Sequence, residues 1–309
     1  MIYDEITNSI RVLCEKLLTD KKVDLIIAWR GGGINDTQIP YFAKNPGEVK
    51  NIEWGNRCYQ NIAKYLLGLN KKAGILAKPC DARAIVQYIT EQQIKRENVF
   101  IIGVDCTGMI DENGLPHPGC ADCRVHTPPV YDEYIHDKRF LKDEECPKAQ
   151  PSAGNTGSPP LADDLPYNFE KFQKEIDKCI LCFACRQACY GCYCKECFID
   201  RDLPDWRPGA AGTGIHRENN SGQKYPSGTK MTFHMGRTMH LAGRCIECGA
   251  CEASCQSGVN VRYIIKNLSR FIEELYGYSA GMDVNQKPAL LANEFDDREV
   301  GFLKGKTHV

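Results

Sequence analysis

Eleven of the chain's eighteen cysteines fall between Cys179 and Cys255, and eight of those eleven spell one phrase twice. The first copy is Cys179-Ile-Leu-Cys182-Phe-Ala-Cys185-Arg-Gln-Ala-Cys189, and the second is Cys245-Ile-Glu-Cys248-Gly-Ala-Cys251-Glu-Ala-Ser-Cys255. Both read C-x2-C-x2-C-x3-C. In that bacterial iron–sulfur run three thiolates curl around one cluster, and the fourth crosses to the other cluster. The spacing predicts one 4Fe–4S cluster on Cys179, Cys182, Cys185 and Cys255, and a second on Cys245, Cys248, Cys251 and Cys189. Structural zinc pairs two C-x2-C knuckles and has no use for a third and fourth cysteine given twice. Tyr190 and Gln256 stand where a proline usually follows the fourth cysteine, which leaves the ligand count intact.

With 309 residues the chain has room for two domains and a sizeable core. Its net charge of −1 offers no basic footprint for nucleic acid and no acidic tail. No apolar run reaches the length of a membrane span, and the opening MIYDEITNSIRVL lacks the regions of a signal peptide. The expected location is the cytoplasm, where thiols stay reduced, so the cysteines point to metal rather than to disulfides.

Residues 2–19 place Ile6, Ile10, Leu13, Leu17 and Leu18 at helical spacing, with Cys14 as a small buried apolar residue. Residues 23–29 form a continuous apolar run that reads as a buried strand and ends at Arg30-Gly31-Gly32-Gly33. Such a turn either lets a phosphate or flavin approach the backbone or is a plain flexible loop. Residues 55–68 read as a helix, 73–77 as a strand, 81–93 as a helix and 99–104 as a strand. The alternation predicts an α/β domain with a mostly parallel sheet over 1–146. A Pro/Ser/Gly-rich linker at 147–167 then leads to an α+β, helix-rich, dicluster ferredoxin-like domain over 168–309. That second part has a short helix at 168–178, an insert at 198–244 with a helix over 231–241, a helix at 259–276, and a tail.

Sites in parallel sheets gather at the carboxyl ends of strands. Cys80 and Cys106 fall at such ends, and Cys120-Ala-Asp-Cys123 follows in a Gly/Pro-rich loop. The four read as a shared metal site, a zinc site or unconnected loop thiols. Lys78-Pro79-Cys80-Asp81, Gly103-Val104-Asp105-Cys106 and Cys120-Ala-Asp-Cys123 together resemble the beta subunit of the deazaflavin-reducing hydrogenases and formate dehydrogenases. The resemblance implies a third cluster on Cys80, Cys106, Cys120 and Cys123, with FAD beside it. Lys78 and Arg83 then either raise the cluster's potential or, with Arg30, Gly31 and Gly32, contact a flavin phosphate. A deazaflavin hydride partner follows from the same likeness.

An ordinary two-cluster ferredoxin has no need of Cys192, Cys194 and Cys197. They read as a fourth cluster or a zinc completed by Cys58, as free thiols, or as substitutes for Cys189. The seven histidines, His234 and His240 among them, show no ligand spacing and read as core or surface residues.

No hydrolytic triad, paired-carboxylate site or phosphate-binding P-loop emerges. The expected function is an iron–sulfur electron-transfer subunit relaying single electrons between a catalytic oxidoreductase subunit and a flavoprotein or ferredoxin. Expected partners are hydrogenase, formate or aldehyde dehydrogenase, or a heterodisulfide-reductase-like flavoprotein. The alternative is an FAD-containing subunit exchanging hydride with a deazaflavin or nicotinamide, since a flavin joins two-electron to one-electron chemistry. A zinc-based nucleic-acid binder is disfavoured by the balanced charge.

Overall fold

The computed structural model describes residues 3–33, 36–111, 113–121, 123–137, 169–197 and 227–289. The linker expected at 147–167, the first part of the insert (198–226) and the last part of the tail (290–309) lie outside the described residues.

Helix α1 (Asp4–Thr19) opens with Asp4 and Glu5, whose charges suit a helix N-terminus, and buries Ile6, Ile10, Cys14, Leu17 and Leu18. Strand β1 (Leu25–Arg30) follows, buried along its length except for Arg30. Strand β2 (Ile39–Ala43) folds back antiparallel to it. Strand β3 (Ala73–Ala77) is buried at every residue and leads into α2 (Pro79–Thr90), where Pro79 occupies the first turn without costing a hydrogen bond. Strands β4 (Val99–Val104) and β5 (Glu133–Ile135) complete a five-stranded sheet of order β2-β1-β3-β4-β5. Every pairing but β1–β2 is parallel. The α/β character and mostly parallel sheet agree with the sequence pattern.

Two strands escaped that pattern for physical reasons. β2 contains Pro40, which a sheet tolerates at an edge, and β5 is a three-residue edge strand. The helix expected over 55–68 is absent. Only Ala63–Leu66 form a short 3-10 turn, because this segment's backbone donors are taken elsewhere. The Ile62 N–H donates to Asp81 Oδ1 at 2.8 Å, and the Ala63 N–H donates to the Asn61 side chain at 3.1 Å. Asn61 thus offers the chain a local turn in place of a helix.

In the second half lie α3 (Phe169–Asp177), α4 (Ala184–Ala188), α5 (Ser227–His240), α6 (Ala250–Ala253) and α7 (Val261–Tyr276). The two halves are stitched across one seam. Arg83 of α2 donates to the Ala280 carbonyl at 2.9 and 2.8 Å and to the Ile246 carbonyl at 3.1 Å. Glu91 pairs with Arg244 at 2.5 Å and accepts from the Tyr193 hydroxyl at 2.6 Å. The Tyr88 hydroxyl donates to the Tyr190 carbonyl at 2.8 Å. Tyr190, Ile246, Tyr278 and Ala280 are buried in the same hydrophobic cluster as the sheet. The tail's Tyr278 and Ala280 are therefore committed to α2. Among the described residues, no helix is long and apolar enough to cross a membrane.

Candidate metal centres

The repeated phrase folds the same way twice. In the first copy Leu181 and Phe183 take left-handed φ values of 54° and 59°, and in the second Glu247 and Gly249 take 59° and 75° at the equivalent positions. A single helical turn follows in each, α4 and α6. Left-handed backbone at three non-glycine residues costs on the order of 1–3 kcal/mol each and persists only where the surroundings impose it. Here it curls the backbone around sulfur. The Leu181 N–H donates to Cys179 Sγ at 3.3 Å, and the Glu247 N–H donates to Cys245 Sγ at 3.4 Å.

The thiols gather in sets. Cys179, Cys182, Cys185 and Cys255 line one cavity with Phe183, Phe233 and His234. The Val259 N–H donates to Cys255 Sγ at 3.3 Å. Cys189, from the first copy, lies within electrostatic reach of Cys245, Cys248 and Cys251 from the second. At the strand ends, the register Ala77↔Gly103 brings the carboxyl ends of β3 and β4 side by side. Cys80 there lies within reach of Cys106, and Cys106 within reach of Cys120 and Cys123.

Burial makes several of these thiols reluctant to ionise. It pushes Cys106 and Cys245 up to about 12, and Cys185 and Cys248 up to about 11. Neighbouring cysteines add to the cost, since bare thiolates packed together repel. A cationic metal group removes that penalty, because a coordinating thiol is deprotonated outright. Cys189 is the exception. The Cys192 thiol, with Arg237 beside it, pulls Cys189 down against burial. Among the described residues, no three His, Cys, Asp or Glu side chains converge closely enough to hold one metal ion. A tetrahedral zinc would ask for sulfurs about 2.3 Å from a common point.

The second and third sets adjoin. Cys80 lies within electrostatic reach of Cys248. A β-carbon on Gly119 would sit 2.3 Å from the Cys248 carbonyl oxygen, so the loop carrying Cys120 runs directly against the loop carrying Cys248. Below the third set, Lys78 and Asp81 form an ion pair at 2.7 Å with side-chain exposures of 1% and 0%. Lys78 Nζ also donates to the Gln60 carbonyl at 2.9 Å and lies 4.0 Å over the Trp29 ring. The Asn61 amide donates to the Cys80 carbonyl at 3.0 Å.

Several expected site residues sit elsewhere. Cys58 is buried against Lys78, Asp81 and Cys106, with its thiol toward the Glu53 carbonyl at 3.9 Å. Cys194 is exposed, and Cys197 packs beside the thiol-lined core of the second half. The phosphate cradle also fails. Lys78 is spent on Asp81, and Arg83 is spent on the carbonyls of Ile246 and Ala280. Arg30 stacks over Tyr41 at 5.3 Å. The Glu53 carboxylate leans on Gly31 so closely that a β-carbon there would lie 2.4 Å from it, and Gly32 shares this acidic turn. A carboxylate at the glycine turn repels phosphate, so these five residues do not fit a flavin pyrophosphate.

The spacing rules missed the inward face of α5. Lys230, His234 and Arg237 are all buried there, and their i, i+4, i+7 spacing along the apolar residues Phe233 and Leu241 was the available signal.

No family model matches the chain. It is similar to the F420-dependent formate dehydrogenase subunit beta of Methanocaldococcus jannaschii, 24% identical, with 92% of this chain and 94% of that protein covered. The F420-dependent formate dehydrogenase 1 subunit beta of Methanococcus maripaludis is 22% identical, with 65% of this chain and 76% of that protein covered. A structure of the xenon-derivatised F420-reducing NiFe hydrogenase complex from Methanosarcina barkeri overlaps 33% of this chain and 38% of that one, at 19% identity and a TM-score of 0.28. Over nearly its whole length the chain is thus similar to an F420-dependent formate dehydrogenase subunit beta.

Proposed function

We propose that the chain is an iron–sulfur electron-transfer subunit that holds three 4Fe–4S clusters in a row. The second half is read as a dicluster ferredoxin-like domain, and the row runs from the Cys179/Cys182/Cys185/Cys255 set through the Cys189/Cys245/Cys248/Cys251 set to the Cys80/Cys106/Cys120/Cys123 set. The observation that supports this reading is that cysteines from five separate stretches lie near one another: four line one cavity, Cys189 is within electrostatic reach of Cys245, Cys248 and Cys251, and Cys106 is within reach of Cys80, Cys120 and Cys123. The donor chemistry fits, since such clusters take four thiolates, and hydrogen bonds to sulfur and burial set their potentials. When bound, the clusters supply one-electron storage and passage.

The chain's own residues do the rest. The left-handed turns aim N–H groups at Cys179 and Cys245. Arg83, Glu91 and Arg244 hold the halves in one register, so the loop with Cys120 stays against the loop with Cys248. The names of the relatives support a place in a formate-dehydrogenase-type complex, and catalysis is read as lying in a partner subunit. A reducing compartment such as the cytoplasm suits so many thiols.

Electron paramagnetic resonance of the dithionite-reduced full chain tests this reading. Three reduced clusters that adjoin one another should give signals split by mutual spin coupling. Gly119→Ala forces a β-carbon into the Cys248 carbonyl and should narrow the splitting between the second and third sites. Isolated, uncoupled signals in the unaltered chain would contradict the row.

A further inference from the structure

Arg237 is 2% exposed on α5, and its surroundings hold thiols of two different sets. Its guanidinium donates to the Cys185 carbonyl at 3.2 Å, on the first set's side. On the other side Cys189, Cys192 and Cys251 lie within electrostatic reach of it. Its Nε is buried with no hydrogen-bond partner. One turn earlier His234, 3% exposed, lines the cavity of the first set, and its Nε2 is likewise buried without a partner.

Burying a guanidinium is costly unless an opposite charge meets it. A donor left unsatisfied in the interior costs roughly 1–3 kcal/mol. Two such donors on one helix face, one beside four thiols and the other between two such sets, mark positions where negative charge and sulfur acceptors belong. Apolar residues would have closed the gap at lower cost.

We propose that α5 is an electrostatic clamp between the first two clusters: Arg237 lies between both and raises both potentials, and His234 donates to the first alone. The proposal rests on the three-cluster reading. One-electron reduction makes a cluster more negative, and a fixed cation or N–H donor favours that state. A single residue touching both surroundings moves the two potentials together, keeping the step between them nearly level. Arg237 and His234 are positioning residues, since the thiolates are the ligands.

The test is a redox titration of the full chain followed by electron paramagnetic resonance, with each site assigned through its own cysteine-to-serine variant. Arg237→Gln should lower the reduction equilibrium of the first and second sites at least tenfold each, which is 59 mV for a one-electron couple, and leave the third unmoved. Arg237→Lys, which keeps the charge, should lower both by clearly less. His234→Phe should lower the first site only. Iron content is measured on every variant, and where Arg237→Gln holds less than the full complement the decision passes to Arg237→Lys and His234→Phe. Unchanged potentials in an iron-replete Arg237→Gln or Arg237→Lys chain overturn the clamp, as does a lysine variant that shifts as far as glutamine. Those results leave the three-cluster reading standing, whereas an unaltered chain that lacks the first two signals removes that reading itself.

Discussion

Cys255→Ser is expected to remove about four irons per chain and to abolish the same resonance signal as Cys179→Ser, given four irons per cluster. Cys255 belongs by sequence to the second copy of the phrase, yet it lines the cavity of Cys179, Cys182 and Cys185. Serine offers a weaker, harder ligand at that corner, and the Val259 N–H that donates to Cys255 Sγ loses its sulfur acceptor. The signal that depends on Cys245 should persist. Iron assay and resonance on the three serine variants check this: a Cys255→Ser chain that instead matches Cys245→Ser would mean that the ligands do not cross.

Asp81→Ala is expected to cost about 3–5 kcal/mol, because it strands the buried Lys78 ammonium without a counter-charge. It also leaves the backbone N–H groups of Ile62 and Lys78 without their acceptor. Against a total stability of roughly 5–15 kcal/mol, such a loss threatens the whole α/β half. The consequence reaches the site, since Asp81 pins the segment whose Asn61 holds the Cys80 carbonyl. Urea denaturation under strictly anaerobic conditions measures the cost. The double change Lys78→Met with Asp81→Leu should recover most of it, because replacing both members of a buried pair by apolar residues is often neutral. A double variant as unstable as Asp81→Ala would show that the backbone bonds, not the stranded charge, dominate.

How much of this was legible follows from how local each signal is. Cysteine spacing is a covalent code read over a few residues, so the twin phrase announced the local turns that Leu181, Phe183, Glu247 and Gly249 adopt. The hydrophobic runs of β1, β3 and β4 were equally plain, because strands buried on both faces leave continuous apolar stretches. Asn61 defeated the helix reading of 55–68, since a side chain that bonds its own backbone competes with helical pairing where pattern alone sees periodicity. Arg83 and Lys78 looked free to meet a phosphate, because their real partners, the carbonyls of Ile246 and Ala280 and the carboxylate of a buried Asp81, are set by tertiary packing. The inward polar stripe of α5 was written in the sequence but reads as ordinary surface charge until the helix is turned toward the cysteines.

The central claim is three clusters on twelve thiols. Iron and acid-labile sulfide per chain, on the full protein purified without oxygen, test it most directly. The account predicts about twelve irons and as much sulfide. About eight irons would contradict it by leaving Cys80, Cys106, Cys120 and Cys123 without a cluster, and zinc in place of iron would contradict it altogether.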